Sequence, residues 1–122
     1  MVHSRLQTEL AAASTPAAAL SPGTWAKVFT LAGDFIGFEG HFPGHPIVPA
    51  MVQMLMARML LEEIGAGERP DTVQSAKFLA PIPPGTRVVV IARQKGYAWQ
   101  IDIAEQSDDD RQQTVFARIT AA

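Results

Sequence analysis

Cysteine is absent from this 122-residue chain, so disulfides, thiolate metal sites and a cysteine nucleophile are all excluded. Charge is also scarce, because charged residues make up 18% of the chain, against roughly 25% in typical soluble domains. The formal net charge is −2 and no run of Lys and Arg stands out, which argues against nucleic acid as the main partner. No apolar run reaches the roughly 18 residues of a membrane span. The 48% hydrophobic content therefore predicts burial in a core and at a subunit interface.

The chain length suits one domain with one hydrophobic core, preceded by an N-terminal arm. Residues 1–22 are rich in Ala, with Arg5 as the early positive charge, and Pro16 interrupts their apolar stretch. This pattern predicts a mobile or weakly helical arm rather than a signal peptide, and a cytoplasmic location follows as the default. Residues 23–122 are predicted to form the folded domain, which begins after the Ser-Pro-Gly turn ending at Gly23.

Most of residues 23–122 are predicted to form β-strands around one helix. The helix is predicted to begin at Pro49, whose fixed φ suits a first turn, and to end near Ile64, before Gly65. It is apolar nearly all round, which is typical of a buried helix. The predicted strands are rich in β-branched and aromatic residues and cover 24–32, 72–80, 86–94, 97–106 and 113–120. In the fourth, Tyr97, Trp99, Ile101 and Ile103 alternate with more polar positions, as in a half-buried strand. An α+β domain follows, with an antiparallel sheet of about five strands facing one long helix.

The stretch GHFPGHPIVPAMVQ, residues 40–53, resembles the signature of β-hydroxyacyl-acyl-carrier-protein dehydratases, written H-F-P-G-x-P-x-x-P-G. The order of elements matches as well, since the segment AKFLAPIPPG, residues 76–85, stands where that family has a strand that ends in a Pro-Gly turn. The resemblance covers about residues 23–120. It implies a single hot-dog domain, a curled antiparallel sheet wrapped around one long central helix, and a dimer with substrate tunnels at the interface. Gln53 is more similar to the branch found in aryl-polyene and related pigment or lipid clusters.

The resemblance implies that His41 is the general base, which removes the α proton of a 3-hydroxyacyl thioester. Imidazole suits this role because its unperturbed pKa lies near neutral pH. Gly44 and the prolines of the motif hold the turn that presents His41. The resemblance also implies substrate contacts from five positions of the motif and the start of the helix. These positions are Phe42, Gly44, Ala50, Met51 and Leu55.

Two of these positions differ from the family pattern. The family has glycine where this chain has Ala50, and it uses a backbone N–H there to polarise the thioester carbonyl. Alanine keeps the N–H and adds a methyl group. The family has Glu or Asp at the position of Leu55, and leucine cannot supply or orient a proton for the departing hydroxyl. Glu62 and Glu63 lie two turns further along the helix and do not replace that acid.

Other candidate residues have competing interpretations. His45 follows His41 by four residues, but Pro43 and Gly44 between them exclude a helical metal site, so no metal and no resident cofactor is predicted. Five basic residues could form a rim for an acidic carrier protein or a phosphopantetheine phosphate, although solvated strand faces explain them equally well. They are Lys77, Arg87, Arg93, Lys95 and Arg118.

Three functions remain open from the sequence. The first is a dehydratase that acts on 3-hydroxyacyl thioesters of acyl carrier protein or coenzyme A, in fatty-acid or polyene-type biosynthesis, with the substrate carried on phosphopantetheine. The second is a catalytically weak acyl-binding protein or partner subunit of a hot-dog heterodimer. The third is a hot-dog thioesterase, which usually needs an Asp or Glu that acts on water. The partners expected are the carrier or coenzyme A thioester and a second hot-dog chain, identical or different.

Overall fold

A computed structural model describes residues 5–32, 47–65, 73–107 and 113–122 of the chain. The described helices are α1 (Arg5–Ala12) and α2 (Ala50–Glu63). The described strands are β1 (Ala18–Ser21), β2 (Thr24–Thr30), β3 (Val73–Phe78), β4 (Arg87–Lys95), β5 (Ala98–Glu105) and β6 (Val115–Ala121). The predicted helix and the five predicted strands are all present, with bounds that differ by one or two residues at most ends.

The strands form one antiparallel sheet of six strands in the order β1-β2-β4-β5-β6-β3. The sequence analysis predicted about five, and the sixth is β1, which pairs with β2 from within the Ala-rich arm. Strand β3 lies at the far edge because it pairs only with β6 among the described strands. The predicted fold class is confirmed: one curled antiparallel sheet packs on one long helix.

One face of α2 packs on the concave face of the sheet and forms the core. Val52, Met56 and Leu60 are buried on this face of the helix, at the three- and four-residue spacing of an amphipathic contact. The sheet contributes alternate residues of its central strands to the same core: Val88, Val90 and Ala92 of β4 and Trp99, Ile101 and Ile103 of β5. The predicted alternation in the fourth strand segment is therefore right for three of its four residues. It is wrong for Tyr97, which lies in the hairpin turn and is fully exposed.

The opposite face of α2 is open, which corrects the prediction of a helix buried all round. Met51 is 68% exposed, Leu55 is half-buried, and Arg58 and Glu62 are exposed along the same side. The helix ends as predicted, since Gly65 adopts a positive φ of 59° and donates its N–H to the Glu62 carbonyl at 3.2 Å. The open side of α2 is a surface that a second chain can cover.

Residues 5–22 of the N-terminal arm pack on the domain, so of the two predicted states, mobile or weakly helical, the structure shows a helical one in α1. Leu10 of α1 is fully buried in the core cluster. Thr15 joins the arm to β2, because its hydroxyl oxygen accepts the Val28 N–H at 3.0 Å and its carbonyl oxygen accepts the Lys27 ammonium at 2.8 Å. The Ala-rich composition concealed this contact because a single buried leucine is a weak sequence signal.

Strand β3 is exposed along its whole length. Its unpaired edge and its apolar side chains are both accessible, with Val73 46% exposed, Phe78 45% exposed and the adjoining Leu79 54% exposed. An open sheet edge with apolar residues readily pairs with another chain. Among the described residues, this edge and the outer side of α2 are therefore both accessible to a second chain.

Candidate active site

The segment that leads into α2 is fixed to the rest of the domain by backbone hydrogen bonds. The Val48 N–H donates to the carbonyl oxygen of Ile82 at 3.0 Å, and both residues are buried. Pro49 follows as the N-cap with extended backbone, and its carbonyl oxygen accepts the N–H groups of Val52 and Gln53 at 3.0 and 3.2 Å. These bonds fix the direction in which α2 begins, immediately after the histidine motif.

The first turn of α2 presents unpaired backbone donors. Pro49 provides no side-chain cap, and the first turn has no acidic residue. Within the described residues, the N–H groups of Ala50 and Met51 have no acceptor, as expected for the first amides of a helix. Both residues are exposed. Free donors combined with the positive end of the helix dipole stabilise negative charge on a bound group.

Leu55 lies one helical turn beyond Met51, on the same side of α2. Its side chain is half-buried and packs against the edge of the core cluster. The helix therefore has an apolar residue at the position where the resemblance predicts an acid. Ala50, Met51 and Leu55 lie in the first two turns of α2, and their substrate contacts stay predictions. His41, His45, Phe42 and Gly44 lie outside the described residues, so their predicted roles stay predictions.

The two acids of α2 are engaged at its other end. Glu62 accepts a hydrogen bond from Arg58 at 3.0 Å. Glu63 accepts from the buried Lys27 ammonium at 2.5 Å and from the Ala17 N–H at 2.6 Å. Seven residues of helix separate Leu55 from Glu62, which is roughly 10 Å of rise at 1.5 Å per residue. Neither acid reaches the start of the helix.

The hydrogen bond from Lys27, followed by that from the Ala17 N–H, holds the pKa of the Glu63 carboxyl below its ordinary value of 4.5. Partial burial opposes this shift but does not reverse it. Beside this pair, an open cleft of about 600 Å³ separates α1 from the last turns of α2. The cleft lies at the opposite end of α2 from Ala50 and Met51. Because the two charges satisfy each other, we interpret this region as a structural junction.

Gln53 is a polar residue whose contribution the sequence did not reveal. It is 4% exposed, so its side chain is buried in the protein. Its Nε2 donates to the Val48 carbonyl oxygen at 3.3 Å, whereas its Oε1 has no partner within the described residues. A lone amide in an otherwise apolar helix was the available signal, but the sequence could not show that one of its polar atoms is left unpaired.

All five basic residues predicted as a possible rim lie on the outer face of the sheet. Lys77 of β3 is opposite Arg118 of β6, and Arg118 is opposite Asp102 of β5. On β4 the residues Arg87, Arg93 and Lys95 alternate with the core-facing Val88, Val90 and Ala92.

This outer face holds five of the ten Lys and Arg residues of the chain. Asp102 lies among them and is bonded to Arg93 at 3.2 Å and close to Arg118 at 3.8 Å. A chain with a formal net charge of −2 therefore concentrates positive charge on one surface.

Neither α1 nor α2 is long and apolar enough to cross a membrane, and these are the helices of the described residues. Within the same residues, no three His, Asp or Glu side chains come together as metal ligands would.

Known proteins resemble this chain in both sequence and fold. A 3-hydroxyacyl-[acyl-carrier-protein] dehydratase FabZ from Sulfurimonas denitrificans is 32% identical over 89 residues, which cover 59% of this chain and 60% of that relative. The chain therefore matches about three fifths of that relative's length.

Among solved structures, the dehydratase heterocomplex ApeI:P from Xenorhabdus doucetiae superposes with a TM-score of 0.70 at 15% identity, covering 88% of this chain and 93% of that chain. The E. coli PaaI protein superposes with a TM-score of 0.66 at 13% identity, covering 95% of this chain and 86% of that chain. These likenesses identify the hot-dog fold. The family model described as "ApeI-like: ApeI dehydratase" matches residues 20–115, which include the whole of α2 and the motif before it. The chain belongs to the ApeI-like dehydratase family.

Proposed function

We propose that this protein is a dehydratase-like hot-dog protein that binds 3-hydroxyacyl thioesters and removes water from them at the start of α2. The observation that carries the proposal is that the N–H groups of Ala50 and Met51, directly after the histidine motif, have no acceptor among the residues that the structure describes. A thioester carbonyl oxygen placed there accepts hydrogen bonds that strengthen as the oxygen gains charge.

The reaction proceeds by proton removal followed by loss of the hydroxyl. His41 takes the C2 proton, and the electron pair of that C–H bond moves toward the thioester carbonyl, whose oxygen becomes an enolate. The N–H groups of Ala50 and Met51 and the helix dipole stabilise this oxygen. The electron pair then returns to form the C2–C3 double bond, the C3–O bond breaks, and the hydroxyl leaves with a proton as water. The product is a 2-enoyl thioester.

The departing hydroxyl needs a proton, and Leu55 cannot provide one. His41 can return the proton that it took, or water can supply it, but neither is held in place by a carboxyl group on α2. A positioned acid contributes a factor of about 10² to 10⁴ in rate. The protein alone is therefore slow.

A second candidate function is favoured by Leu55 itself. A chain without the acid can bind the acyl group and act as the partner of an active hot-dog chain, which would contribute the missing carboxylate. The open side of α2 and the exposed edge of β3 are suitable for pairing with an identical or a different chain. The structural relative named above is a dehydratase heterocomplex, which is consistent with the second arrangement.

The positive charge on the outer face of the sheet supports a proposal for the group that carries the substrate. The basic outer face of the sheet favours an acidic carrier protein over a neutral one, because complementary potentials steer association. Coenzyme A also carries phosphates, so free coenzyme A thioesters are the alternative form of the same substrate. In both, the acyl group is attached to phosphopantetheine.

The experiment is to incubate the purified protein with 3-hydroxyacyl thioesters of carrier protein and of coenzyme A and to follow the mass of the acyl group. Loss of one water supports the dehydratase. Release of the free hydroxy acid identifies a thioesterase instead. Binding without any mass change, together with activity on addition of a second hot-dog chain, identifies the partner subunit. Light scattering on the same sample should give a dimer, and a monomeric mass at micromolar concentration would contradict the proposed pairing.

A further inference from the structure

The Gln53 side chain is the one buried amide of α2, and one of its two polar atoms, Oε1, has no hydrogen-bond partner within the described residues. Nearly all buried polar atoms in folded proteins have a partner, because an unpaired buried acceptor destabilises the folded state. An apolar side chain of the same size would avoid that cost. The unpaired atom is therefore a candidate for a contact that forms when a ligand binds.

The orientation of the amide is set by its other end. The Val48 carbonyl oxygen can only accept a hydrogen bond, so the NH₂ group of Gln53 must face it, at 3.3 Å. Oε1 then points away from Val48. Val48 is itself bonded to Ile82, so the amide is attached to a fixed segment rather than to a mobile one.

The unpaired acceptor and the unpaired donors lie within the first turn of one helix. Gln53 follows Ala50 by three residues, which is about 4.5 Å of rise along the axis at 1.5 Å per residue. A ligand that satisfies both must offer an acceptor to the N–H groups and a donor to Oε1. It must carry these two groups close together. A 3-hydroxyacyl thioester has such a pair, because one methylene carbon separates its carbonyl carbon from the carbon that bears the hydroxyl.

We propose that Gln53 Oε1 accepts a hydrogen bond from the 3-hydroxyl of the substrate while the Ala50 and Met51 N–H groups hold the thioester carbonyl. This inference rests on the proposed function and assigns a residue for substrate recognition that the family motif does not assign. Gln53 is a specificity-determining residue, because it recognises the hydroxyl of the substrate. It is not the acid of the reaction, because a neutral amide oxygen has no proton to give. It fixes the position of the hydroxyl, while the proton for the leaving water comes from elsewhere.

Loss of the 3-hydroxyl in the reaction favours release of the product. Dehydration converts the 3-hydroxyacyl group into a 2-enoyl group that has no hydroxyl. Oε1 then loses its donor, so the product is held less tightly than the substrate. A buried acceptor that serves the substrate discriminates strongly against an analogue that lacks the matching hydroxyl.

The test uses two unreactive analogues of acyl-pantetheine in which an amide replaces the thioester. One carries a 3-hydroxybutyryl group and the other a butyryl group. Both keep the carbonyl and differ only in the hydroxyl. Calorimetry on the wild-type protein should give a dissociation constant about tenfold lower for the hydroxylated ligand, the usual effect of one buried hydrogen bond. In Gln53→Leu the ratio should fall to about one, because the hydroxyl then has no acceptor.

Met54→Leu is the matched control, since Met54 is a half-buried neighbour on α2 and the change nearly conserves volume. Its ratio should equal that of the wild type. Equal affinities of the two ligands for the wild type would overturn the inference, even if Gln53→Leu failed to fold. A preference that persists in folded Gln53→Leu would also overturn it. If the wild type binds neither ligand, the proposed function fails as well, whereas binding of both with equal affinity leaves that function intact.

Discussion

The two ends of α2 differ in how completely their polar groups are paired. At the C-terminal end, Glu63 bonds to the buried Lys27 and to the arm, and Lys27 also bonds to the Thr15 carbonyl. At the N-terminal end, Pro49 provides no side-chain cap, and the amide oxygen of Gln53 has no partner within the described residues. The polar side chain Glu63 at the C-terminal end is hydrogen-bonded, whereas the Gln53 oxygen at the N-terminal end is not, within the described residues.

The groups of α2 that stabilise the fold lie at its C-terminal end, and the groups proposed to bind the substrate lie at its N-terminal end. Paired groups at the C-terminal end fix the N-terminal arm to the domain and contribute to stability. Unpaired groups at the N-terminal end cost stability in the free protein, and such costs concentrate at sites that bind ligands. The comparison predicts that substitutions at the C-terminal end change folding and that substitutions at the N-terminal end change chemistry.

The largest effect is expected at the N-terminal end. His41→Ala removes the proposed base, so any dehydration of 3-hydroxyacyl thioesters should fall by a factor of about 10² to 10⁴ or to the background rate. His45→Ala is the control, because His45 occupies the variable position of the motif and should leave the rate nearly unchanged. Initial rates of enoyl product formation measure both variants. Equal losses from the two variants would mean that the loop, and not the His41 imidazole, is responsible.

The next effect is on stability, at the C-terminal end. Glu63→Gln weakens two hydrogen bonds and leaves the buried Lys27 ammonium without its counter-charge, so the free energy of unfolding should fall by about 1–3 kcal/mol. Since the Glu63 side chain is 38% exposed, the lower half of that range is expected.

Glu62→Gln is the matched control for Glu63→Gln. It changes the neighbouring acid, whose pair with Arg58 is exposed and of the i, i+4 type, worth about 0.3–0.5 kcal/mol. Urea denaturation measures both. A loss of dehydration without a loss of stability in Glu63→Gln would contradict the division between the two ends.

The same pair makes a smaller contribution that depends on pH. The pKa of Glu63 is lowered in the folded protein, so its stabilising effect is complete above the unfolded value, near 4.5, and is lost as pH falls through the lower folded value. The difference in unfolding free energy between wild type and Glu63→Gln should therefore shrink in acid. Denaturation curves recorded from neutral pH downward measure it. A difference that grows in acid would show that Lys27 is not the cause of the shift.

The smallest effect is expected away from both ends, on the outer face of the sheet. Reversing two exposed charges, with Lys77→Glu and Lys95→Glu together, should weaken binding of an acidic carrier protein by about three- to tenfold at low salt. Binding of a free pantetheine thioester should not change, because it does not use that face. Titration at two salt concentrations separates the two. Unchanged affinity for the carrier would remove the face as a docking surface.

The sequence predicted the fold more fully than the site. Alternation in residues 98–105 and the apolar run of α2 determined strand and helix because burial repeats with a fixed period. The contact of the arm was missed because it depends on Leu10 and on the Lys27–Glu63 pair, which join residues far apart in the chain. Tyr97 was assigned to the strand interior, but Gly96 with its positive φ places it in the turn.

At the site, the motif indicated Ala50, Met51 and Leu55, and the structure brings these three to one end of α2. The unpaired Gln53 oxygen could not be predicted, because the orientation of an amide depends on the tertiary position of its acceptor, Val48. Periodicity gives the side of a helix on which a residue lies, but not which of its two polar atoms is satisfied.

The central claim is that the site at the N-terminal end of α2 keeps the dehydratase arrangement and lacks its acid. The most direct test compares dehydration rates of wild type, Leu55→Glu and Leu55→Gln on one 3-hydroxyacyl thioester, with light scattering to check that all three have the same oligomeric state. Glutamate can donate a proton and glutamine of the same shape cannot, so Leu55→Glu should exceed both others, by up to about 10² if the Ala50 methyl group permits. A rapid wild type that Leu55→Glu slows would contradict the account, because the acid would then come from another residue.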